Sequence, residues 1–98
     1  MYTILSKLYH QLAVKLVEQV GENGYYSGRF EFEFEGVWCE MILSAIVYRQ
    51  KQPDPWATAC AVEDMIPVWW EFHTYIDGEE VLNDLSFNEL RGYIKSLL

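Results

Sequence analysis

The chain is short of positive charge and nearly without cysteine. Seven Lys and Arg stand against fifteen Asp and Glu, a formal net charge of −8. Nucleic acid binding rests on clustered Lys and Arg that neutralise phosphates, so direct binding to nucleic acid is disfavoured. Attraction to an anionic membrane surface is disfavoured for the same reason. Cys39 and Cys60 make no disulfide framework and match no zinc spacing. Both lie in apolar runs, where a free thiol behaves as a small hydrophobe. No apolar run is long enough to span a bilayer. No basic stretch followed by a continuous apolar one opens the chain, so a cytoplasmic location is expected. A glycine-rich phosphate loop, a nucleophile elbow and a histidine-rich metal pattern are all missing. No cofactor and no metal site are therefore expected.

What is present is apolar and aromatic. Hydrophobic residues make up 51%, with four Trp, seven Tyr and five Phe, a composition that disfavours disorder. A single domain over residues 1–98 is expected, with neither linker nor internal repeat.

The clearest local signal is Phe30-Glu31-Phe32-Glu33-Phe34-Glu35. Successive strand side chains point to opposite faces, so three phenylalanines share one face and three glutamates the other. A strand over residues 25–34 follows, and Glu35-Gly36 reads as a two-residue hairpin turn. Phe34 then faces Val37, Phe32 faces Cys39, Phe30 faces Met41, Glu33 faces Trp38 and Glu31 faces Glu40, the last a pairing of like charges. A bulge at Gly36 would shift that register. In the second strand, residues 37–48, the inward set is Val37, Cys39, Met41, Leu43, Ala45 and Val47. The outward set is Trp38, Glu40, Ile42, Ser44, Ile46 and Tyr48. Both sets are largely apolar, and such a strand is usually covered on both faces.

The remaining elements follow from periodicity and punctuation. Residues 3–20 read as a helix with Leu5, Leu8, Tyr9, Leu12, Ala13 and Leu16 in one stripe and Gly21 ending it. Residues 49–55 read as a loop, 56–63 as a third strand or, being alanine-rich, as one turn of helix, 64–67 as a turn and 68–76 as a fourth strand. That fourth strand has Val68, Trp70, Phe72, Thr74 and Ile76 inward and Trp69, Glu71, His73 and Tyr75 outward. Asp77-Gly78 is a tight-turn signal, and residues 79–82 form a short edge strand or a loop. Ser86 and Glu89 make a capping-box pattern ahead of Phe87, Leu90, Ile94 and Leu98 at helical spacing. Gly92 weakens that helix by about 1 kcal/mol unless it permits close packing. The expected fold is two-layer α+β, in the order α-β-β-β-β-α. A four-stranded, possibly five-stranded, antiparallel meander carries the N- and C-terminal helices on one face.

The far face of that sheet is the candidate site. It would display Glu31, Glu33, Trp38, Glu40, Ile42, Ile46, Tyr48, Trp69, Glu71, His73 and Tyr75. Aromatic patches of this kind mark interaction surfaces. Another subunit, a long loop or a ligand has to cover it, and a homodimer is the commonest solution. The expected function is a non-catalytic protein-interaction domain, working as a homodimer or with another protein partner. Two alternatives stand beside it. Glu71 and His73 share a face and could act as an acid–base pair, although ordinary hydrogen-bonded neighbours look the same. The acidic row could imitate nucleic acid phosphates and occupy a basic DNA- or RNA-binding protein, although acidic strands more often resist aggregation. Calcium chelation by Glu31, Glu33 and Glu35 is weak, because alternate strand residues lie about 6.6 Å apart and diverge.

Overall fold

The computed structural model of the chain describes residues 1–21, 23–49 and 62–97. Two tight turns organise it. Glu35 and Gly36 have φ of 47° and 84°, and Asp77 and Gly78 have φ of 53° and 81°. Positive φ at both central residues is the hairpin turn whose twist matches paired strands. The first turn joins β1 (Tyr25–Phe34) to β2 (Val37–Arg49). The second joins β3 (Val62–Ile76) to β4 (Glu79–Val81). The four strands form one antiparallel sheet in the order β1-β2-β3-β4. With α1 (Ser6–Val20) before them and α2 (Phe87–Lys95) after them, the fold is α+β in the order α-β-β-β-β-α.

The β1–β2 register runs from Phe34↔Val37 to Tyr25↔Ile46, with each expected pair in place and no bulge at Gly36. All six inward residues of β2 are buried. They share one core with Leu8, Tyr9, Leu12, Ala13, Leu16 and Val20 of α1 and with Phe87, Leu90 and Ile94 of α2. The helices meet through Tyr9 and Tyr93, whose rings stack at 5.1 Å. Burial pushes the Cys39 thiol up to about 11, as expected of an inert core cysteine.

Several local expectations are corrected. The first helix starts at Ser6, not Thr3, and Leu5 is 67% exposed rather than part of the buried stripe. The preceding residues run extended instead. Tyr2 forms a parallel bridge with Asn83, and Ile4 N–H donates to Asp84 Oδ1 at 2.7 Å. Residues 64–67 do not turn. They lie within β3, where Ala45 pairs with Pro67 and Ser44 with Trp69, leaving Val68 as an extra bulged residue. Val68 is therefore exposed rather than inward, and Ile76 at the turn is exposed as well. Residues 79–81 are a strand, and β2 runs one residue further, to Arg49. The expected loop over 50–55, the strand residues 56–61, Cys60 and Leu98 lie outside the described residues. Among the described residues no helix is long and apolar enough to cross a membrane.

The capping box of α2 is half formed. Ser86 Oγ accepts from Glu89 N–H at 3.4 Å, but Ser86 N–H donates to Tyr9 Oη at 3.0 Å instead of to Glu89. Arg91 forks onto Asp64 of β3, with Nε–Oδ1 at 3.0 Å and Nη2–Oδ2 at 2.7 Å. Arg91 holds the Asp64 carboxyl below its ordinary value of 3.8. A depressed carboxylate adds stability above that ordinary value and loses it as pH falls from there. Asp64→Asn is expected to lower stability by about 1–2 kcal/mol at neutral pH, with the difference shrinking below pH 4, as read by urea denaturation across pH. A Cβ at Gly92 would meet nothing within 4 Å, and its φ is not positive. Close packing does not explain this glycine, so Gly92→Ala is expected to stabilise the protein by about 0.5–1 kcal/mol in thermal melts.

Candidate functional site

The sheet face turned away from the helices is built by strand parity. On β1 it carries Tyr25, Ser27, Arg29, Glu31 and Glu33, because Tyr26, Phe30, Phe32 and Phe34 pack into the core. On β2 it carries Trp38, Glu40, Ile42, Ser44, Ile46 and Tyr48. On β3 it carries Trp69, Glu71, His73 and Tyr75, with Glu80 of β4 beside Tyr75. Cross-strand rungs bring these together as Glu33–Trp38–Tyr75, Glu31–Glu40–His73, Arg29–Ile42–Glu71 and Ser27–Ser44–Trp69. All eleven residues expected on this face therefore lie on one surface.

That surface divides along the strand direction. The half nearest the two turns is acidic: Glu31, Glu33, Glu40 and Asp77 surround Trp38 and Tyr75 in an open depression of about 560 Å³. The other half is apolar, with Trp69 62% exposed, Tyr48 and Tyr25 each 52% exposed and Ile46 41% exposed. The Glu row stops at Glu33, because Glu35 occupies the turn.

Two basic side chains organise the carboxylates. Arg29 Nη2 lies 2.6 Å from Glu31 Oε1 and 2.5 Å from Glu40 Oε2, so one guanidinium bridges the like-charged cross-strand pair. His73 lies between Glu80, with Nδ1–Oε2 at 2.8 Å, and Glu71, with Nε2–Oε1 at 3.2 Å. Trp69 Nε1 donates to Glu71 Oε2 at 3.3 Å and extends the chain into the apolar half. Glu80 raises the imidazole pKa above its ordinary 6.5, burial opposes this less strongly, and Glu71 adds to the rise.

Glu71 and His73 are thus neighbours, as expected of the acid–base pair, but both ring nitrogens already face carboxylates. The depression at the turn end is lined by neither of them. Among the described residues no three acidic, histidine or cysteine side chains converge as metal ligands. His10 is exposed on α1.

Sequence reasoning missed Tyr25, Ser27, Arg29 and Glu80. Parity along β1 could have found the first three. The Asp77-Gly78 turn, read as a two-residue hairpin, could have placed Glu80 opposite Tyr75.

The Arg29 bridge generates a test. Arg29→Gln is expected to lower the urea midpoint, more at low salt than at high salt, because Glu31 and Glu40 then oppose each other unscreened. Adding Glu40→Gln to that variant is expected to recover most of the loss. No protein-family model, curated protein or solved structure matches this chain.

Proposed function

We propose that the chain is a non-catalytic, cytoplasmic protein-interaction domain that self-associates through the outer face of its sheet. The observation that carries the reading is the exposed patch of Trp69, Tyr48, Tyr25 and Ile46 on the face the helices do not cover. At about 200 Å² for a whole aromatic side chain, these exposures leave roughly 400 Å² of apolar surface. The largest apolar patch on a monomer reaches this range, and is then often functional. A standard interface takes about 800 Å² from each partner, with an apolar centre and a polar rim. Ser27, Ser44 and Glu71 supply such a rim here.

The separation of apolar and acidic halves supports a second copy as the partner. A two-fold axis through the apolar half brings Trp69 and Tyr48 of each copy together. It directs the acidic, turn-proximal halves away from each other. Such isologous pairing is the commonest form of assembly. A buried, unpaired thiol such as Cys39 accords with the reducing conditions of the cytoplasm.

Sedimentation velocity over a concentration series is expected to show monomer–dimer exchange. Trp69→Asp is expected to abolish it while leaving the circular dichroism spectrum unchanged. Trp38→Asp, in the acidic half, is expected to weaken it less. A wild-type chain that stays strictly monomeric at millimolar concentration would overturn the reading.

A further inference from the structure

The contacts of His73 specify a protonation state. A neutral imidazole has one N–H and one bare nitrogen lone pair, whereas an ionised carboxylate only accepts hydrogen bonds. His73 presents Nδ1 to Glu80 at 2.8 Å and Nε2 to Glu71 at 3.2 Å. Both contacts are hydrogen bonds only in the imidazolium. Loss of the proton sets a lone pair against a carboxylate oxygen on one side. The longer contact, to Glu71, is the one expected to open, and Glu71 is also the residue that receives the Trp69 indole N–H.

The surrounding groups add to this dependence on the proton. Glu40 of β2 stands opposite His73, with Glu31 of β1 beyond it. Glu71 and Tyr75 flank it on β3, and Glu80 faces it from β4. Arg29 is the one other cation at this face among the described residues, and it is engaged with Glu31 and Glu40. Glu31, Glu33, Glu40, Glu71, Asp77 and Glu80, less Arg29, leave the face with a formal excess of five negative charges when His73 is neutral and four when it is protonated. Between two copies the product of these charges then falls by about a third, an effect moderated because the acidic halves point apart.

We propose that His73 gates self-association of the sheet face through its proton: the imidazolium holds Glu71 and Trp69 in place and offsets the carboxylates, and its neutral form loosens the dimer. The inference rests on the reading of this face as a self-association surface. The two carboxylates hold the histidine pKa above 6.5. These contacts lie within one subunit, so the imidazolium is already held in the monomer, and its contribution to association is present while His73 is protonated and is lost as pH rises through that raised pKa.

The test is the dimer dissociation constant of the full chain by sedimentation equilibrium at pH 6 and pH 9, for wild type, His73→Gln and His73→Lys. Wild type is expected to dissociate about fivefold or more readily at pH 9 than at pH 6, the range of an ordinary coupling between two sites. His73→Gln is expected to be weak at both pH values. His73→Lys, a permanent cation, is expected to be tight at both, and it keeps the test open should the Gln variant fail to fold. Imidazole ¹⁵N resonances are expected to show both ring nitrogens protonated at pH 6. A wild-type dimer of equal affinity at pH 6 and pH 9 overturns the inference and leaves the interface standing. A monomer at both pH values overturns the two together.

Discussion

The register of β2 is the constraint on which the rest of the molecule depends. This thirteen-residue strand pairs with β1 on one side and β3 on the other, so its pleat sets the pleat of both neighbours. Side chains alternate with a period of two, and a slip of one residue would exchange its faces along the whole length. The slip would drive Trp38, Glu40 and Tyr48 into the helices and expose Met41 and Leu43. Two features oppose it. The Glu35-Gly36 turn has left-handed φ at both positions and permits a single pairing of Phe34 with Val37. Phe32 and Met41 fill the core cluster, and exchanging the faces would bury Glu31 and Glu33 of β1 or Glu40 of β2.

The long β3 strand keeps that register by breaking its own. Met65 and Trp70 lie five residues apart, an odd separation that would place them on opposite faces of an unbroken strand. Both nevertheless face the core: Met65 is fully buried and Trp70 packs on Phe87 with ring centroids 5.8 Å apart. The extra residue at Val68 changes the parity between them and accounts for its exposure. Pro67 fits the same place, because proline has no N–H for the ladder and is tolerated at bulges and on edges. β4 covers only residues 74–76 of β3, so the stretch around Pro67 has no strand on its outer side among the described residues.

These details explain what could be read in advance. The alternation of residues 30–35, the two glycine-bearing turns and the Ser86 cap are local signals with one physical solution each. From them came the element order, the β1–β2 register and eleven of the residues on the outer face. Pro67 is different, since a proline ahead of an apolar run signals a turn and an edge bulge equally well. The start of α1 was missed because its cause lies 80 residues away, where Asp84 captures the Ile4 N–H and holds residues 2–4 extended. The Arg29 bridge is a similar case. Sequence pairing shows Glu31 opposite Glu40 and predicts repulsion, but the long arginine side chain that relieves it comes from the next rung.

The outer face therefore contains two solutions to one electrostatic problem. Across the β1–β2 seam, carboxylates are joined by a guanidinium, which stays charged at any pH a folded protein meets. At the β3–β4 seam the corresponding cation is an imidazole, whose charge is conditional. The two seams also differ in what backs them up. β1 pairs with β2 over ten rungs, whereas β4 pairs with β3 over three. Beyond those rungs, Thr74 Oγ1 donates to Val81 O at 2.6 Å and Asn83 Nδ2 donates to Phe72 O at 2.9 Å. Permanent charge thus lies on the seam already secured by its ladder, and titratable charge on the short one. The geometry of the short seam, including the Trp69 link through Glu71 into the apolar half, is where a change in proton occupancy has the least backbone pairing to overcome.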